Sequence, residues 1–336
     1  MMCVKRTLVA EFINNLKLCA MKYKKRRFIP GECMHVYQRE VKGYNIFYDR
    51  EDFLVFYMIF SVLARLAGVK VQMLCLMPNH VHILLSADSM EVISRFIMHY
   101  TSVFVREYND DVGRKGALFH KSFGSAPKKG GKAIRSTIVY IGNNPVEKDL
   151  STAAEEYQWN FLKYISMKIN GKRVPVRSLS LRLQKAFKIV DRVASRPAYF
   201  NYAQLRRLMR GLEPNEVEFL TDHIIMTYFP FDVDSLLGFY DSYEDMLTAM
   251  RSTAGKEFDI KEQYYPETDT AYKAMSDTLE KDFGDVFAGQ VRKVTVLPPG
   301  EKFRLAQHLR RCTSASIYQI SRFLHLPVAR TSDATD

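Results

Sequence analysis

Two histidines one residue apart, His80 and His82, stand in the run Met77-Pro78-Asn79-His80-Val81-His82-Ile83-Leu84-Leu85. An apolar run from Val71 to Leu76 precedes them, and Pro78-Asn79 between the two runs reads as the tight connection of a β-hairpin. Side chains alternate along a strand, so His80 and His82 point to one face while Val81 and Ile83 point to the other. Neutral imidazole is the commonest metal ligand, and two such rings along one strand can grip a single divalent ion. Alone, a His-X-His pair fits a solvated strand face as well as a metal site.

A second group lies about sixty residues downstream, in Ile138-Val139-Tyr140-Ile141-Gly142-Asn143-Asn144-Pro145. A helix there puts Tyr140 and Asn144 at i and i+4, on one face. Pro145 is expected to mark the helix end.

Taken together, the Met-Pro-Asn-His-Val-His block and the Tyr-Ile-Gly-Asn-Asn-Pro-Val block resemble the REP-associated tyrosine transposases, HUH-type single-tyrosine enzymes that cut and rejoin single-stranded DNA. Val36-Tyr37-Gln38-Arg39, Asn45-Ile46-Phe47 and Glu51-Asp52-Phe53 fall where that family has its first strand and the start of its first helix. Tyr157-Gln158-Trp159 falls at its aromatic segment after the tyrosine helix. The resemblance covers residues 30 to 165.

It implies an α+β fold of the HUH nuclease type, a ferredoxin-like or RRM-like antiparallel sheet with helices on one face. It further implies Tyr140 as the nucleophile, His80, His82 and Asn144 as ligands of Mg²⁺ or Mn²⁺, and a 5′-phosphotyrosine intermediate. Ligand type alone leaves zinc open. One departure is Gly142 inside the expected tyrosine helix, where glycine costs about 1 kcal/mol against alanine. His120 could reach the site, but as lone histidines on expected strands His120 and His35 read as structural or exposed.

The elements that must position these groups follow from periodicity. A strand is expected over 32–40 and a helix over 50–67, where Phe53, Phe56, Tyr57, Ile59, Phe60, Leu63 and Leu66 recur at helical spacing. After the hairpin come a helix over 89–108 and a strand over 117–125, leading through Pro127 to Lys132 into the tyrosine helix. That order suits an antiparallel sheet in a two-layer sandwich.

The 336 residues carry a net charge of +12, with 47% apolar and 26% charged residues, ordinary for a folded chain and suited to a polyanionic partner. Lys24, Lys25, Arg26 and Arg27 form a basic arm, read equally as a solvated tail or as phosphate contacts. Arg114, Lys115, Lys121, Lys128, Lys129, Lys132 and Arg135 lie in a stretch free of acids that leads to Tyr140, which favours a DNA strand across it. Five scattered cysteines without a Cys-X-X-Cys pair suit a reducing, cytoplasmic setting. No apolar run reaches about eighteen residues, so no membrane span is expected.

The expected organisation is a basic arm (1–29), the catalytic domain (30–168), a basic linker and helix (169–197), and a helical region (198–336). Helices are expected over 181–194, 301–311 and 315–324, the last two as the first part of a helix-turn-helix within 301–330. Partners are expected to be single-stranded or hairpin DNA, with a homodimer possible. Two other readings stand beside the transposase: a non-catalytic DNA-binding regulator on the same fold, and a small-molecule phosphoesterase, which would have no use for Tyr140 or the basic stretches.

Overall fold

The computed structural model describes residues 26–41, 44–120, 122–171, 179–253, 270–287 and 289–327. Lys24, Lys25, Lys121 and the segment after Pro327 lie outside these. Four strands, β1 (Cys33–Arg39), β2 (Lys70–Met77), β3 (His80–Ser86) and β4 (Gly124–Lys128), form one sheet in the order β2-β3-β1-β4. Every neighbouring pair is antiparallel. With α1 (Arg50–Ala67) between β1 and β2, and α2 (Met90–Val112) between β3 and β4, the chain follows the β-α-β-β-α-β ferredoxin-like path.

Local chemistry sets the ends of these helices. Asp49 and Asp52 form a capping box at the start of α1, and Gly68 closes it in the left-handed region at φ 65°. Ser89 Oγ accepts from Val92 N at the start of α2. Both helices cover one face of the sheet: Val36, Ile83 and Leu85 are buried there, and Gln38 donates to Thr101 Oγ1 of α2. Each such apolar side chain contributes about 1.5–3 kcal/mol on burial.

The opposite face is set by register. Tyr37 stands opposite His82 and Arg39 opposite His80 on β1, while Cys75 and Met77 flank the same histidines on β2. A third helix, α3 (Gly130–Glu147), packs against β2, β3 and β4 on this side. Two expectations shift. The fourth strand begins at Gly124 rather than 117, because residues 118–120 meet the end of β1 through an isolated bridge, Glu40 to Phe119, with His120 N to Arg39 O at 2.7 Å and Val41 N to Leu118 O at 3.0 Å, and do not extend the ladder. There Tyr37 lies flat over Gly124, where a Cβ would come within 2.0 Å of its ring. Pro145 sits inside the last turn of α3 rather than at its end. The missing donor of Pro145 falls in this last turn, and just past the helix end Leu150 N closes back on Pro145 O at 2.8 Å.

The rest of the described residues are mainly helical: α4 (Leu162–Ile169), α5 (Leu181–Ala194), α6 (Tyr202–Met209), α7 (Pro214–Thr227), α8 (Val233–Leu237), α9 (Tyr243–Thr253), α10 (Thr270–Phe287), α11 (Pro299–Cys312) and α12 (Ile317–Phe323). One apolar cluster runs from Cys33 through the sheet to Met250 of α9, and a second joins Tyr48 to residues 271–326. Helix α5 spans the residues expected for it, and α11 and α12 are the expected pair, joined by a short turn. Among the described residues no helix is long and apolar enough to cross a membrane.

Candidate active site

The hairpin turn is held from outside. Pro78 O accepts from Ile46 N and Phe47 N at 2.8 and 3.0 Å, and Asn79 O accepts from Glu40 N at 3.2 Å. That fixes where β3 begins, and hence where His80 and His82 stand. Helix α3 is fixed just as firmly. Asn143 Nδ2 donates to Met250 O and Asn160 Nδ2 to Gly142 O, both at 2.8 Å. A Cβ on Gly142 would lie 2.6 Å from Met250 Cε, so the glycine that weakens the helix locally lets α9 pack against it.

On this frame the four side chains singled out from the sequence come together. Asn144 Oδ1 lies 3.2 Å from His80 Nε2, and Asn144 Nδ2 lies 3.3 Å from His82 Nε2. The Tyr140 ring meets the His82 ring edge-on at 5.5 Å between centroids. His82 and Asn144 are buried, whereas His80 and Tyr140 are half-buried, so the site opens on the His80 and Tyr140 side.

Sequence reasoning missed His35. It is buried on β1, its ring stacks on His82 at 5.4 Å, its Nε2 lies 3.2 Å from His82 Nδ1, and Tyr140 meets it edge-on at 5.9 Å. Only the pairing of β1 with β3 brings it there, and no local pattern announces that pairing. His120, by contrast, is exposed.

The donor set fits a divalent ion. His80 Nδ1 faces Asn79 Oδ1 at 2.6 Å while its Nε2 faces Asn144 Oδ1, and a neutral imidazole can donate to only one of two oxygens. The second contact calls for added positive charge, which a proton or a cation supplies. His80 Nε2, His82 Nε2 and Asn144 Oδ1 could hold such an ion, and nitrogen with amide oxygen suits Mn²⁺ or Mg²⁺. A different trio, Asp282, His308 and Cys312, lies between α10 and α11, but there the Asp282 carboxylate already pairs with His308 Nε2 at 2.7 Å.

Burial, and after it the Arg39 charge, holds the His82 imidazole down to about 3. Burial, then His82 and Lys128, pushes His35 down in the same direction. Both rings are therefore neutral near pH 7, the form that binds metal. Below the ordinary value of 6.5 the unfolded chain takes up a proton that folded His82 refuses. Stability is thus expected to fall progressively from about pH 6.5 towards 3, read as the urea midpoint, and His82→Gln should flatten that slope. An unchanged slope in the variant would assign the acid sensitivity to other groups.

The basic residues are placed unevenly. Arg26 lies over the Phe123 ring at 4.0 Å beside β4, and Lys129, Lys132 and Arg135 are exposed around the start of α3. Lys128 is half-buried on β4, and Arg27 and Lys115 are exposed. Arg114 is occupied at home, donating to Asn109 Oδ1, Gly116 O and Ala117 O.

The ferredoxin-like sheet thus carries paired strand histidines that face a helix tyrosine. Residues 34–144, from β1 through Asn144, match the family model described as "Transposase IS200 like". Among solved structures the chain is similar to a REP-associated tyrosine transposase bound to a REP hairpin, at 15% identity and a TM-score of 0.35, over 44% of this chain and 86% of that one. No curated protein matches the chain.

Proposed function

We propose that this chain is a transposase that nicks and rejoins single-stranded or hairpin DNA in the cytoplasm through Tyr140. The observation that carries the reading is the convergence of Tyr140, Asn144, His80 and His82 on one open face. His80, His82 and Asn144 would hold Mg²⁺ or Mn²⁺, which would supply Lewis-acid polarisation of a phosphoryl oxygen. The Tyr140 phenol oxygen attacks the scissile phosphorus, and the O3′–P bond breaks. The product is a 5′-phosphotyrosine with a free 3′-hydroxyl. Attack by a 3′-hydroxyl on that phosphotyrosine reverses the step and returns the phenol without outside energy. The turn contacts at Pro78 and Asn79 hold the histidines, and the α9 contacts hold the tyrosine helix, so little reorganisation is needed.

The DNA backbone is proposed to run past the start of α3, where Lys129, Lys132 and Arg135 are exposed and the helix has no acid in its first turn. Lys128, Arg26, Arg27 and Lys115 extend that flank, with Lys24, Lys25 and Lys121 outside the described residues. Six or more phosphate contacts would lower affinity by roughly 10³-fold or more between about 50 and 200 mM salt. A flat salt response in a fluorescence titration would rule this path out. Helices α11 and α12 are proposed as the opening of a helix-turn-helix that meets duplex DNA.

The test is to incubate the protein with labelled hairpin DNA, with and without Mn²⁺, and resolve it under denaturing conditions. A metal-dependent protein–DNA adduct is expected. DNA binding without any adduct would leave the non-catalytic regulator as the better reading.

A further inference from the structure

Asn144, His82 and His35 form a chain of polar contacts across the site face, and the hydrogen-bonding capacity of its members gives the chain a direction. Asn144 Nδ2 lies 3.3 Å from His82 Nε2 and, as an amide nitrogen, can only donate. With the amide turned this way His82 Nε2 accepts, which leaves the ring proton on Nδ1. That nitrogen faces His35 Nε2 at 3.2 Å, so His35 Nε2 is the acceptor and His35 carries its own proton on Nδ1.

We propose that His35 is a positioning residue that accepts the Nδ1–H of His82 and so fixes the tautomer in which the His82 Nε2 lone pair faces Asn144 and His80. His35 is not itself a ligand. It meets the Nδ1 edge of His82, while Asn144 meets the Nε2 edge. Both rings are closed to bulk solvent, His35 1% and His82 0% exposed, so water cannot readily take over the role of acceptor. The rings also stack at 5.4 Å with 22° between their planes, which fixes the orientation of His82 as well as its tautomer. His80 has a similar brace from its own turn, with Nδ1 2.6 Å from Asn79 Oδ1. Each histidine of the pair thus has its Nδ1 held by a neighbour and its Nε2 turned to the shared point beside Asn144. A metal-binding histidine needs this arrangement, since the hydrogen bond at one nitrogen decides which form the other takes.

The assignment rests on the proposed metal site for its purpose, but the tautomer itself can be read in metal-free protein. Long-range ¹H–¹⁵N correlation on protein labelled at histidine reports which nitrogen carries the proton, with His82 identified by its loss in His82→Gln. The expected wild-type result is the Nδ1–H form. His35→Leu is expected to yield a mixture or the Nε2–H form, and to weaken Mn²⁺ binding, followed by electron paramagnetic resonance, by about 10- to 100-fold. His35→Gln keeps an acceptor near the Nε2 position and is expected to retain the Nδ1–H form and most of the affinity. An Nε2–H form in the wild type would overturn the proposal whether or not the variants fold. So would a His82 tautomer indifferent to His35→Leu in a protein that keeps its circular dichroism. Wild type with the expected tautomer but no Mn²⁺ binding would sink the metal reading while supporting the role of His35.

Discussion

Tyr140→Phe is expected to abolish covalent attachment to DNA, by roughly 10⁴-fold or more, the scale on which removal of a covalent nucleophile acts. DNA affinity should stay within a few-fold, because the ring and its packing are kept. The effect is large because the reaction asks much of this one group. A phenol with a pKa near 10 is only about 0.1% ionised at pH 7, so the attacking phenolate lies roughly 4 kcal/mol uphill. A cation held by His80, His82 and Asn144 would offset part of that by stabilising negative charge beside it. Met250 against Gly142 and the Asn143 and Asn160 contacts leave α3 little freedom to carry Tyr140 away from the histidines. The measurement is adduct yield with labelled hairpin DNA. Tyr37 provides the control, because it shares the face opposite His82 but lies against Gly124. Tyr37→Phe is expected to leave the adduct intact. Persistence of the adduct in Tyr140→Phe would remove Tyr140 as nucleophile.

The second large effect lies far from the chemistry. Arg292→Met is expected to destabilise the protein by about 3–5 kcal/mol, the usual cost of removing one partner of a buried ion pair. Arg292 is fully buried, and its guanidinium donates to Asp52 Oδ1 at 2.7 Å and to Asp111 Oδ2 at 2.5 Å, with the Tyr202 ring 3.8 Å below it. Asp52 is equally enclosed. It also accepts from Tyr48 N, Asp49 N and the Tyr202 hydroxyl. Removing Arg292 leaves that carboxylate buried with neutral donors only. Asp111 keeps Arg206 and is less affected. Arg292→Lys should not restore stability, since an ammonium cannot bridge two carboxylates in the planar geometry of the guanidinium.

The contact joins the short helical turn over 291–296 to the start of α1 and the end of α2. The second apolar cluster is therefore expected to loosen first in the variant, seen as faster hydrogen exchange over 270–326 than over the sheet. Tyr48, just ahead of α1, would still be held to α12 through its hydroxyl to Phe323 O at 2.6 Å. A loss of stability under about 1 kcal/mol would show that Asp52 is satisfied without Arg292.

The sequence by itself determined the elements whose signals are local. Alternating residues after a Pro-Asn turn specify the hairpin and turn both histidines to one face, and the i, i+4 spacing turns Tyr140 and Asn144 together. The helices over 50–67 and 181–194 follow likewise from their apolar period. Tertiary structure decided what depends on distant pairing. The register of β1 on β3 brought His35 against His82, a residue no short window could connect to the site. The packing of α9 on α3 made sense of Gly142, whose local cost is offset by a contact more than a hundred residues away. The bond network around Arg292 likewise joins residues from four separate parts of the chain. Periodicity reports which face of an element is apolar. It carries no record of which distant element will cover that face, because that choice is made by shape and by the pairing of buried polar groups in the folded chain.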